Sequence, residues 1–187
     1  MAAPRHYTFI CGSETRECNS ETLARRAAAG LAAADVLAWL YLSEMTLPPF
    51  SNRRDVIDPS SQPAGDEKTL FDNTLACTDL IFVAPLYWYP LPMTTRRYLD
   101  LWSTWQRIPS VHFKSRMAGK NLWVICSLTD RDPTKAGPLV VTIKEIAAYL
   151  GMCYCGALLE NGSRRGDVLK DKAAIAAANL FFGNKVE

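Results

Sequence analysis

The stretch Gly12-Ser-Glu-Thr-Arg-Glu-Cys-Asn-Ser20 lies between a short apolar run ending at Cys11 and an amphipathic segment beginning near Leu23. Ser13, Thr15, Asn19 and Ser20 are short side-chain donors, and Arg16 adds charge-assisted ones. A helix beginning at the end of this loop contributes unpaired backbone N–H groups and a favourable dipole. That inventory suits a dianionic phosphate monoester. A helix N-terminus needs one capping residue, and this loop offers four candidates and an arginine. Glu14, Glu17 and Glu21 must then point away from the anion. The loop matches neither Gly-x-Gly-x-x-Gly nor Gly-x-x-x-x-Gly-Lys-Ser/Thr, which excludes the usual dinucleotide and nucleoside-triphosphate cradles and leaves a mononucleotide.

A second chemical feature is Pro85-Leu-Tyr-Trp-Tyr-Pro-Leu-Pro92. The prolines forbid regular strand pairing, so Tyr87, Trp88 and Tyr89 cannot all point into a core. Beside a phosphate cradle they offer an apolar wall and backbone donors to a flat heteroaromatic ring. The alternative is that they plug the top of the core or a subunit interface, where Tyr and Trp are enriched. A polar stretch, Cys126-Ser-Leu-Thr-Asp-Arg131, supplies Ser127, Thr129 and backbone amides to complete a ring pocket, with Asp130, Arg131 and Asp132 as solvated loop charges. The only histidines are His6 and His112, and no Gly-x-Ser-x-Gly elbow accompanies them, so neither an acid–base enzyme nor a serine hydrolase is supported. Cys153-x-Cys155 has no second cysteine cluster, so a zinc or iron–sulfur centre is not expected.

These residues sit in a chain of 187 residues, a length that favours one domain, with 49% hydrophobic residues and a net charge of +2. Such a balance, with no long like-charge block, argues against nucleic acid or a polybasic membrane contact as partner. No apolar run approaches a bilayer span, because the longest, Leu80–Leu91, is broken by Pro85 and Pro90. The start of the chain lacks the apolar core of a signal peptide, so the six cysteines read as reduced thiols of a cytoplasmic protein.

Five apolar runs read as strands: Tyr7–Cys11, Val36–Leu42, Leu80–Ala84, Leu122–Ser127 and Met152–Leu158. Most are continuously apolar, as expected when helices cover both faces of a sheet. Between them lie helical segments: Leu23, Ala27 and Leu31 at four-residue spacing, then about Asp66–Cys77, then Pro92–Gln106, then a stripe from Leu139 to Leu150 closed by Gly151. A last helix is expected over Val168–Phe182. Strand–helix alternation predicts a doubly wound parallel sheet, and five strands fit the order 2-1-3-4-5. Ser43–Gly65 and Arg107–Gly119 read as irregular. Tyr98, Leu99, Leu101, Trp102 and Trp105 offer more apolar surface than one sheet face usually covers, which points either to a second subunit or to a large-sided core helix.

Taken together, Gly12-Ser13…Asn19-Ser20, Pro85-Leu-Tyr87…Pro92, Leu150-Gly151-Met152 and Gly166-Asp167-Val168…Lys170-Asp171 resemble the flavodoxin-like NAD(P)H-dependent oxidoreductases, a group that includes NADPH-dependent FMN reductases and related quinone and azo reductases. The resemblance covers nearly the whole chain. It implies a flavodoxin-like three-layer sandwich, α/β, that binds FMN and takes hydride from NAD(P)H for a small-molecule electron acceptor. Carried onto this sequence, Ser13, Thr15, Arg16, Asn19 and Ser20 hold the phosphate with help from the Glu21 amide. Pro85, Leu86, Tyr87, Trp88 and Tyr89 line the isoalloxazine, and Ser127, Leu128 and Thr129 close its other edge. The family often carries its loop arginine where Thr15 stands; here Arg16 follows one residue later. The resemblance also implies a homodimer. Two other readings share the fold: a non-enzymatic electron carrier, which is usually acidic, and a binding protein for another phosphorylated ligand.

Overall fold

The structure, a computed structural model, describes residues 3–49 and 62–183. Part of the stretch read as irregular, residues 50–61, lies outside the described residues.

Five strands form one sheet: β1 (His6–Cys11), β2 (Val36–Tyr41), β3 (Asp79–Pro85), β4 (Asn121–Leu128) and β5 (Cys153–Asn161). All pair in parallel in the order β2-β1-β3-β4-β5, as the strand–helix alternation predicts. The helices between them are α1 (Asn19–Ala28), α2 (Gly65–Ala76), α3 (Met93–Trp105), α4 (Phe113–Met117), α5 (Gly137–Leu150) and α6 (Lys172–Ala178). Alternate residues of β3 enter two different cores because strand side chains point to opposite faces. Leu80, Phe82 and Ala84 pack with Tyr98, Trp102, Trp105 and Ile143 on one side. Ile81 and Val83 pack with Phe9, Leu23, Trp123 and Phe182 on the other. Two-sided burial is the reason β3 and β4 read as unbroken apolar runs.

The apolar excess of α3 is absorbed by the chain itself. Tyr98, Leu101, Trp102 and Trp105 are all buried. Tyr98 and Trp102 meet edge to face with centroids 5.5 Å apart, and Trp105 Nε1 donates to Glu67 Oε1 at 2.8 Å. For these four residues the large-sided core helix is what is seen, and Leu99 stays half-buried at the edge of that core. The stretch Arg107–Gly119, read as irregular, contains α4, pinned by buried Phe113 and Met117.

The last helix differs most from expectation. Asp167–Lys170 forms a 3₁₀ turn, and α6 begins only at Lys172. Asp171 interrupts the helix with φ −82° and ψ 83°. Its carboxylate accepts from Ala174 N at 2.9 Å, capping α6, and from Asn161 N at 3.2 Å, tying the cap to the end of β5. Strand β5 also carries a bulge: Leu122 pairs with Tyr154 but Trp123 with Gly156, so Cys155 is skipped. The extra residue reverses which side chains face α1 and α6 from Gly156 onward. No helix among the described residues is long and apolar enough to cross a membrane.

Candidate functional site: a cleft at the carboxyl edge of the sheet

Parallel registers align the strand ends, with Cys11 opposite Val83 and Pro85 opposite Ser127, so the loops leaving β1, β3 and β4 emerge side by side. The first is anchored at Gly12, whose N–H donates to Val83 O at 2.8 Å and whose carbonyl accepts from Thr94 Oγ1 at 2.7 Å. The chain then turns through Glu17, which adopts φ 54°, into Cys18, the N-cap of α1. Cys18 makes no side-chain cap bond, and the first helical bond runs from Thr22 N to Cys18 O. The opening amides of α1 therefore remain without an intrahelical partner, aimed at the loop.

The structure gives the predicted loop residues distinct roles. Ser13, Thr15, Arg16 and Asn19 line a cleft of about 350 Å³ together with Pro85, Leu86 and Tyr87, and with Ser127 and Thr129. Ser13 Oγ accepts from Thr15 N at 3.3 Å, which leaves its proton to donate elsewhere. The Arg16 guanidinium lies 3.3 Å over the Tyr41 ring and donates to Glu44 at 2.8 Å, which fixes it at the rim.

Asn19 acts through its amide as a clamp. Its Nδ2 donates to Arg164 O and its Oδ1 accepts from Gly166 N, both at 2.9 Å. Ser20 is fully buried with its hydroxyl 3.2 Å from Cys18 Sγ, so it reaches the cleft only through its backbone. Glu21 is turned away: its carboxylate accepts from Tyr41 Oη at 2.8 Å, Arg25 Nε at 3.0 Å and Glu17 N at 2.6 Å. Burial alone raises the pKa of this carboxyl, but those three donors outweigh it and hold the group below the ordinary range.

Across the cleft, Leu86 N donates to Ser127 O at 2.8 Å, locking the second loop to the third. The backbone then passes through Trp88 and Tyr89 at φ 50° and 76°, a left-handed pair that bulky residues rarely adopt. The turn swings the aromatic shelf outward, leaving Trp88 92% exposed. Trp88 and Tyr89 wall a smaller hollow of about 280 Å³, shared with Leu128, Asp130 and Lys135. Leu86 and Thr129 belong to both spaces and form the partition between them.

The sequence reading missed a fourth contributor, the loop after β5. Gly162, Ser163 and Arg165 line the main cleft, and Arg165 pairs with Glu17 of the first loop. The available signal was positional: β5 ends at the same sheet edge as the other strands, and its loop combines small and basic residues. A larger hollow, about 640 Å³, lies around His112, Phe113 and Gly151 at the amino edge. In open α/β sheets ligands sit at the carboxyl edge, and there hydroxyls, cations, the free amides of α1 and an apolar wall converge. The cleft therefore suits an elongated ligand with an anionic end on the α1 terminus and a flat end against Pro85–Tyr87.

Residues 6–180 match the family model described as the flavodoxin-like fold. A Bacillus subtilis (strain 168) protein provisionally named as the NAD(P)H-dependent FMN-containing oxidoreductase YwqN is 30% identical over 162 residues, covering 86% of this chain and 87% of that protein. A solved structure of the Trp repressor binding protein from Bacillus subtilis is 28% identical, covers 94% of this chain and 96% of that one, and superposes with a TM-score of 0.74. The NAD(P)H:quinone oxidoreductase of Methanothermobacter marburgensis, 15% identical with 95% and 96% of the two chains covered and a TM-score of 0.67, shares the fold.

Proposed function

The chain belongs to the flavodoxin-like fold family and, within it, to the NAD(P)H-dependent FMN oxidoreductases, and from that premise we propose that it is an enzyme whose cleft holds FMN and passes reducing equivalents from NAD(P)H to a small-molecule acceptor. The observation that carries this reading is the convergence of the uncapped α1 terminus with the Pro85–Tyr87 wall in one cleft.

The donor set fits the group. Ser13, Thr15, the opening amides of α1 and the two guanidinium groups of Arg16 and Arg165 suit the phosphate. The Pro85–Tyr87 segment suits the flat face of the ring, and Ser127 and Thr129 its polar edge. When bound, FMN supplies the redox chemistry, accepting hydride from a nicotinamide and reducing a second substrate. The protein's part is to orient both partners, exclude water and present backbone N–H groups where negative charge develops. No side-chain general base is needed, in keeping with His112 at the opposite edge. The hollow beyond the Leu86–Thr129 partition, walled by Trp88, Tyr89 and Leu128, is where the second substrate docks.

Free flavin, quinones, azo or nitro compounds and metal oxyanions are the acceptor classes of this reading. We read the protein as cytoplasmic and as a homodimer. The exposed Trp88 and Met93, on either side of Pro90–Pro92 and both apolar, support association. Steady oxidation of NADH or NADPH by FMN-loaded protein in the presence of a quinone is the expected result. A single stoichiometric reduction without turnover would instead mark an electron carrier.

A further inference from the structure

The end of β5 carries a titratable group that the proposed chemistry leaves unused. Glu160 pairs with Ser127 across the β4–β5 ladder, is 1% exposed, and finds no hydrogen-bond partner for either carboxyl oxygen among the described residues. After the Cys155 bulge, β5 alternation places it on the side of Leu158, beneath α1 and α6. Gly162 stands between it and the cleft. A Cβ on Gly162 would lie 2.9 Å from Glu160 Oε2 and 2.7 Å from Asn19 Nδ2, and Gly162 itself lines the cleft. The carboxyl is thus one backbone thickness behind the wall where α1 begins.

Its surroundings give an anion nothing. From α1 comes Asn19, whose amide is spent on Arg164 O and Gly166 N. The loop after β5 offers Arg165, which pairs with Glu17, and Arg164, whose N–H donates to Asp167. The 3₁₀ turn brings Asp167, paired with Lys170 at 2.9 Å, and the cap of α6 brings Asp171. From β4 come the neutral Ser127 and Cys126. Burial first, then the like charges of Asp171 and Asp167, push the Glu160 carboxyl up to about 8, so near neutral pH it holds its proton.

We propose that the cleft takes up its phosphate-bearing ligand together with one proton, held by Glu160: the neutral carboxyl lets a dianion settle on the α1 terminus, and the ionised carboxyl drives it off. This rests on the phosphate site proposed above. A dianion across Gly162 adds a further like charge, so it strengthens the hold of Glu160 on its proton. By linkage, affinity then falls as pH rises through the titration of Glu160 in the free protein, by up to about tenfold per pH unit. The proton comes from solvent, and no bond other than its own changes.

The test titrates the full chain, freed of ligand, with FMN by flavin fluorescence between pH 6.5 and 9.5, with riboflavin as the phosphate-free probe and Glu160→Gln as the variant. The FMN Kd of the wild type should rise severalfold, up to about eightfold, between pH 7.5 and 9, that of Glu160→Gln should stay level, and riboflavin should not separate the two proteins. Calorimetry in two buffers of different protonation enthalpy should record proton uptake on FMN binding to the wild type at pH 8.5, a count that can overturn the proposal even if the variant fails to fold. An unaltered pH slope in Glu160→Gln, or no proton uptake by the wild type, overturns the proposal and leaves the phosphate site standing. Equal affinity for FMN and riboflavin at every pH overturns the phosphate site and the proposal with it.

Discussion

Gly12 and Thr95 meet without room for a methyl group: a Cβ on Gly12 would stand 1.8 Å from Thr95 Oγ1 and 3.2 Å from Thr95 Cβ. This contact joins the first loop to the opening turn of α3, so the spacing between the phosphate end and the Pro85–Tyr87 wall depends on it. Gly12→Ala should destabilise the fold by about 1–3 kcal/mol through overpacking. Thr95 Oγ1 is itself buried and has no partner among the described residues, so Thr95→Ala alone should be neutral or stabilising, and combined with Gly12→Ala it should recover part of the loss. Urea unfolding of the two single variants and the double variant measures the coupling.

Ser13 and Asn19 are predicted to fail in different ways. Ser13→Ala with Thr15→Ala should weaken FMN binding by about 1.5–3 kcal/mol per lost charge-assisted bond, with little effect on riboflavin affinity or thermal stability. Asn19→Ala frees the loop after β5 from two hydrogen bonds, so it should lower Tm as well as affinity. Parallel thermal melts and flavin titrations separate the two patterns.

Trp88 is exposed and sits at φ 50°. Trp88→Ala should therefore change stability by no more than about 0.5 kcal/mol while altering acceptor preference. Comparing kcat/KM across a quinone, an azo dye and free flavin checks this. A large loss of stability with unchanged kinetics would return Trp88 to a packing role.

Glu160 also governs stability against pH. Its carboxyl in the folded chain is raised from 4.5 to about 8, so the unfolded chain binds fewer protons between those values and stability falls as pH climbs through them. Glu160→Gln should match the wild type at about pH 4 and exceed it at pH 9, by an amount on the order of a few kcal/mol. Melting curves across that range report the difference.

Much of this was legible in the sequence, for physical reasons that also mark its limits. The runs of β3 and β4 are apolar on both faces, as covered strands are, and the hydroxyls and arginine before α1 exceeded what a cap requires. What stayed hidden depends on contacts far apart along the chain. Arg165 joins the cleft because Asn19 clamps a loop 145 and 147 residues away. Glu160 lies beyond the Met152–Leu158 run read as the fifth strand, and the bulge at Cys155 is what turns it inward. The break at Asp171 likewise draws on its bond to Asn161 N as well as on its capping of α6. The surplus of large side chains on α3 was visible, but whether this chain or another covers it is set by the packing of Phe82 and Phe113.

The central claim is that the cleft holds FMN by its phosphate and its ring together. The most direct measurement is the visible absorption spectrum of the full chain, incubated with FMN and separately with riboflavin, then desalted. Flavin bands retained from FMN and lost from riboflavin are the predicted result. A protein that emerges colourless from both, and whose intrinsic fluorescence does not respond to added FMN, would contradict the account.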